Sequence, residues 1–107
     1  MGFDQYHEPF NELSEDTRTF ARMILSLIEE AEAIDWYEQR MDVEKDKDAV
    51  KVMKHAQEEE FIHFGLDLEF VLRHQPKWRT VMKNILFHPG DLLDLAAHAE
   101  DAEDQRK

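Results

Sequence analysis

The sequence has no cysteine, which excludes disulfide cross-links and thiolate metal sites. It holds only three glycines and three prolines, placed mostly near the ends or at breaks between apolar-periodic segments. No apolar run approaches the roughly 20 residues a membrane-spanning helix requires. The first residues lack the basic start and apolar core of a secretion signal. A cytoplasmic protein without a membrane partner is therefore expected. Positive charge is also scarce: 13 Lys and Arg stand against 25 Asp and Glu, for a net charge of −12. Nucleic acid and anionic membrane surfaces both demand a basic footprint and are excluded as partners. An acidic surface of this kind attracts cations instead.

What the sequence does contain is helical periodicity over a single domain's length of 107 residues. Residues 1–13, MGFDQYHEPFNEL, are irregular. Ser14 offers an N-cap, and Glu15 and Asp16 place acid in the first turn of a helix over 14–41. Phe20, Met23, Ile24, Leu27, Ile28, Ala31 and Ile34 then recur at spacings of three and four. After a polar break, with Asp46 or Asp48 as N-cap, a second helix over 46–74 carries Val50, Met53, Phe61, Phe64, Leu68, Val71 and Leu72. The two helices are similar in length and closely joined, so they should fold back as an antiparallel hairpin. Pro76 opens a third helix over 76–87, and an acidic fourth covers 90–105. The predicted fold is all-α. A hydrophobic content of 42% supports a modest core, and so short a chain leaves apolar surface that association with a second copy would cover.

Two carboxylates interrupt the apolar stripes. Glu30 shares a face with Met23, Leu27 and Ile34 on the first helix, and Glu60 falls within Val50, Met53, Gln57, Phe64 and Leu68 on the second. His63 lies beside Glu60 on the next turn. A buried carboxylate must be protonated, paired or bound to metal. Glu30 could pair with a basic residue across the hairpin, and His63 alone would ordinarily be a hydrogen-bonded core histidine. A single Glu-x-x-His is a weak signal in an acidic helix; its combination with a Glu in the facing stripe is the specific feature. That set is half of a carboxylate-bridged di-iron site, in which two helices each give one Glu and two others each give Glu-x-x-His. Carboxylate oxygens bridge two cations and imidazole suits iron. One chain supplies one half-set, so a complete site holding two irons requires a dimer with Glu30, Glu60 and His63 from both copies in a four-helix bundle about a two-fold axis. The other histidines, His7, His55, His74, His88 and His98, are read as structural or surface residues, His55 being nearest the site.

The stretches EEAEAIDWYEQR (29–40) and EEEFIH (58–63) resemble the encapsulated ferritins, and the similarity extends over about 14–95. The resemblance implies a hairpin that dimerises through its metal site, five dimers closing into a decamer, and ferroxidase activity inside an encapsulin shell that stores the mineral. Carried over by position, Glu30, Glu60 and His63 match the iron ligands. Tyr37 matches a residue beside the ferroxidase centre. Glu29 and Glu32 match carboxylates of an outer site through which metal arrives, with Trp36 the aromatic residue next to it. The family usually carries a targeting peptide after a flexible acidic stretch, and the residues up to Lys107 include no apolar docking segment. An alternative reading is a non-catalytic helical interaction module held together by a redox-inactive ion such as calcium or zinc.

Overall fold

A computed structural model describes residues 4–106, with side chains described as far as Glu103. Among the described residues every regular element is helical: a short 3₁₀ turn at Phe10–Glu12, then α1 (Glu15–Val43), α2 (Lys47–His74), α3 (Pro76–Ile85) and α4 (Leu92–Arg106). The chain divides into two units, Met1–Val71 and Leu72–Lys107.

The first unit is the predicted hairpin. Ser14 caps α1 by accepting a hydrogen bond from the Thr17 backbone N–H at 3.1 Å, satisfying a donor that the helix itself leaves free. Of the two N-cap candidates for α2, Asp46 takes the role: its Oδ1 accepts from Ala49 N–H at 2.9 Å. The intervening 44–46 segment is held by Glu44 Oε2, which accepts from the backbone N–H groups of Lys45 and Asp46, each at 3.0 Å. The helices run antiparallel, since Gln57 of α2 donates to the Ile34 carbonyl of α1 at 3.1 Å and to Glu38 Oε1 at 2.9 Å. Leu27 and Val71 are buried, as is the Gln57 amide. At its start the unit is fastened by Arg18, which donates to the Phe10 carbonyl through Nε at 3.0 Å and Nη2 at 2.6 Å and stacks over the Phe10 ring at 3.9 Å.

The second unit pairs α3 with α4. Pro76 occupies the first turn of α3, as expected from its fixed φ. The helix stops at Ile85 instead of 87, because Leu86 turns extended and Phe87 enters the left-handed region at φ 65°. His88 Nε2 donates to the Lys83 carbonyl at 2.8 Å and covers one of the free carbonyls at that end. Gly90, at φ 115°, completes the reversal, and Asp91 caps α4 by accepting from the N–H groups of Leu93 and Asp94. Ala99 is buried.

Candidate metal centre

The hairpin register sets Glu30 against the middle of α2. Its carboxyl feels Asp67, Glu60 and His63. Glu60 is mostly covered, with 23% of its side chain exposed, and its Oε1 lies 3.0 Å from His63 Nδ1. That contact is the local product of the i,i+3 spacing on one helix. His63 is about half exposed.

The electrostatics are those of an uncompensated acidic site. Burial is the largest cause raising the Glu30 carboxyl from 4.5 to about 7, followed by a hydrogen bond with the adjacent Asp67 carboxyl and the charges of Asp67 and Glu60; His63 opposes them. The hydrogen bond to Glu60 raises the His63 pKa above its ordinary 6.5, and partial desolvation works the other way. Two oxygens, Glu30 Oε2 and Asp67 Oδ2, are buried and meet no other donor among the described residues, so in the metal-free chain a proton on one carboxyl is what joins them. Among the described residues no basic side chain answers Glu30, so the cross-hairpin pairing that could have made it a structural residue is not seen there. The Glu30 carboxylate beside the Glu60–His63 carboxylate–imidazole pair is a donor set of the type that binds a hard or borderline divalent cation.

Asp67 was not among the residues anticipated from sequence. Its signal was present: Glu60, His63 and Asp67 are spaced by three and four, the helical spacing of one face. Glu29 and Glu32 are exposed on α1, and Trp36 is 51% exposed. Tyr37 is partly buried two turns after Glu30, with the Arg40 guanidinium 5.4 Å from its ring centroid. His55 lies 3.8 Å from Glu59 on an exposed stretch, apart from the Glu30 group. Among the described residues of one chain, no group of three or more His, Asp or Glu is arranged to hold a metal ion by itself.

An all-helical chain with a partly buried carboxyl group and a neighbouring Glu-x-x-His on its hairpin has the features of the ferritin-like class of helical proteins. The EncFtn-like family matches residues 5–89, and the chain belongs to that family, the encapsulated ferritins. It is 42% identical over 92 residues to a ferritin-like protein of Thermotoga maritima, covering 86% of this chain and 81% of that one. It is 36% identical over 91 residues to an encapsulated ferritin-like protein of Rhodospirillum rubrum, covering 85% of this chain but 65% of the relative, just under two thirds of its length. Among solved structures, protein NE0167 of Nitrosomonas europaea superposes with a TM-score of 0.80 at 39% identity, covering 83% of this chain and 98% of that chain.

Proposed function

We propose that the protein is a ferroxidase whose site forms where two copies meet. The observation carrying this is the Glu30, Glu60 and His63 group, drawn from both helices of the hairpin, with a Glu30 carboxyl that burial and the carboxylates around it raise to about 7 and that meets no basic side chain among the described residues. Two such groups about a two-fold axis supply four carboxylates and two imidazoles, the donor set of a di-iron centre.

Iron is the substrate. Glu29 and Glu32 raise the local Fe(II) concentration at the surface, with Trp36 beside them. Glu30 and Glu60 bridge the incoming pair, and His63 gives each ion a nitrogen. Tyr37 would stand beside the centre. Each Fe(II) yields one electron, and dioxygen, reduced by two electrons and taking up two protons, leaves as hydrogen peroxide; peroxide is the alternative acceptor. Glu30 must be free of its proton to bind, so the metal competes with that proton. Because the ligands would face an interface rather than a large cavity, mineral would collect elsewhere. The relative named an encapsulated ferritin-like protein supports an encapsulin shell as that container. Five dimers forming a decamer in the shell lumen is the assembly that we propose on the same ground. No helix among the described residues is long and apolar enough to cross a membrane.

The test is aerobic Fe(II) oxidation followed by absorbance in Glu30→Ala, Glu60→Ala and His63→Ala. Each should lose most of the activity. Wild-type rates in all three would reject the site. Oxygen consumption separates this reading from a non-catalytic, metal-stapled module: calcium or zinc would assemble such a module equally well, and Fe(II) would consume no oxygen.

A further inference from the structure

Gln57 has no part in the chemistry proposed above, yet among the described residues it is the one polar side chain that is buried, at 7% exposed. Both hydrogens of its amide are committed to α1: Nε2 donates to the Ile34 carbonyl at 3.1 Å and to Glu38 Oε1 at 2.9 Å. Ile34 lies one turn beyond Glu30 on α1, and Gln57 one turn before Glu60 on α2. The bonds therefore tie the stretches of backbone next to the two halves of the ligand group.

Apolar packing alone does not fix the helices so closely. Hydrophobic contact is non-directional, so a stripe of Val, Met, Phe and Leu tolerates a small rotation of one helix about its axis. The 44–46 link limits sliding, but it lies 14 residues from Glu60, about 20 Å along α2. Rotation matters because the ligands sit on the flank of the packing face. At 100° per residue, Glu60 and His63 are turned about 60° and about 120° from Gln57. On a cylinder of radius about 5–6 Å, a rotation of about 20° moves their tips by about 2 Å. Functional side chains need placement to within about 0.5 Å. Two directional hydrogen bonds at a single buried amide, one to backbone and one to a carboxylate, resist that rotation, and a charge-assisted bond is the stronger kind.

We infer that Gln57 is a positioning residue of the metal site, fixing the rotation of α2 against α1 and with it the direction in which Glu60 and His63 face. This rests on the ferroxidase reading above. The test uses Co(II) as a redox-stable probe on the full chain, below the unfolding transition as judged by circular dichroism. Gln57→Met keeps the unbranched length and removes both donors. It should bind Co(II) at least tenfold more weakly by calorimetry, with a changed visible absorption spectrum, although its helix content matches wild type. Gln57→Met with wild-type affinity and spectrum, even if its Tm falls, overturns the proposal and leaves Gln57 as a packing residue. Glu38→Ala, at an exposed position, removes only one acceptor and should weaken Co(II) at least threefold. If the Met variant does not fold, unchanged affinity and spectrum in Glu38→Ala overturn the proposal in its place. Glu60→Ala in the same series separates the two failures: if it binds Co(II) like wild type, the site itself is wrong and the inference falls with it.

Discussion

Replacing Asp67 by Asn tests the electrostatics of the site without changing its shape. In the metal-free protein Glu30 is raised from 4.5 to about 7. Burial is the first cause, and a hydrogen bond with the Asp67 carboxyl and the charge of that carboxyl come next. Asn removes the like charge and the carboxyl that shares a proton with Glu30, and it can donate an N–H to Glu30 instead. Both effects favour the ionised form. The Glu30 midpoint should fall below about 7, read by ¹³C NMR of the labelled carboxyl. Because metal competes with the Glu30 proton, Co(II) affinity should lose about tenfold per pH unit below that midpoint, and the variant should hold its affinity further into acid. Stability follows the same sign. A folded-state pKa above the unfolded value means that the contribution is fully present below pH 4.5 and is lost as pH rises through about 7. With the carboxyl partly exposed, the contribution is about 1–2 kcal/mol. The wild-type apo protein should lose that much between pH 4.5 and 7.5 in urea titrations, and Asp67→Asn less. An unchanged Glu30 midpoint would show that the two carboxyls do not interact.

Other consequences are as direct. Light-scattering mass of the wild type should rise to at least that of a dimer on anaerobic Fe(II) addition, and the rise should be absent in Glu60→Ala; an identical rise in the variant places the ligands elsewhere. Ser14→Ala removes the α1 cap and should cost about 1 kcal/mol in denaturant unfolding. The two described glycines should respond with opposite signs, because an added Cβ meets nothing within 4 Å at either. Gly65→Ala, inside α2, should stabilise the metal-free chain by about 0.5–1 kcal/mol, whereas Gly90→Ala, at φ 115°, should destabilise it by about 1–2 kcal/mol. Equal signs would contradict the backbone conformation at residue 90.

The helices were legible because caps and periodicity agree in this chain. Ser14 and Asp46 sit where the apolar repeat begins, and Pro76 can only begin a helix. The end of α3 was not legible: Ile85, Leu86 and Phe87 continue the apolar pattern, and nothing in a Leu-Phe pair signals the left-handed turn that Phe87 adopts. Within the site, Glu30, Glu60 and His63 stood out as polar interruptions of apolar stripes. Asp67 did not, because its apolar neighbours Leu66 and Leu68 drew the stripe past it. Gln57 was visible as a stripe residue, but its function was not. Whether an amide in a stripe reaches water or the facing helix depends on the rotation of the pair, which only the folded hairpin reveals.

Charge balance explains why such a site should accept Fe(II) and release Fe(III). On the proposed assembly, Glu30 and Glu60 from two copies carry −4, matching two Fe(II) ions. After each ion loses an electron the pair carries +6, and the protein falls two charges short. Hydroxide or oxide from water must supply the difference, and the product then leaves with ligands of its own. Asp67 from both copies would raise the protein's charge to −6, enough to hold the ferric pair. The crowding that raises Glu30 shows that the fold does not easily ionise all these groups together. Release should therefore depend on Asp67 staying out of the metal's reach. Asp67→Asn should release Fe(III) at least as fast as wild type, while Asp67→Glu, with a carboxylate one methylene longer, should retain it. Aerobic turnover followed by gel filtration and iron assay of the protein fraction measures this. Equal retention in all three proteins would remove Asp67 from the charge balance and leave release to be governed by the Glu and His ligands alone.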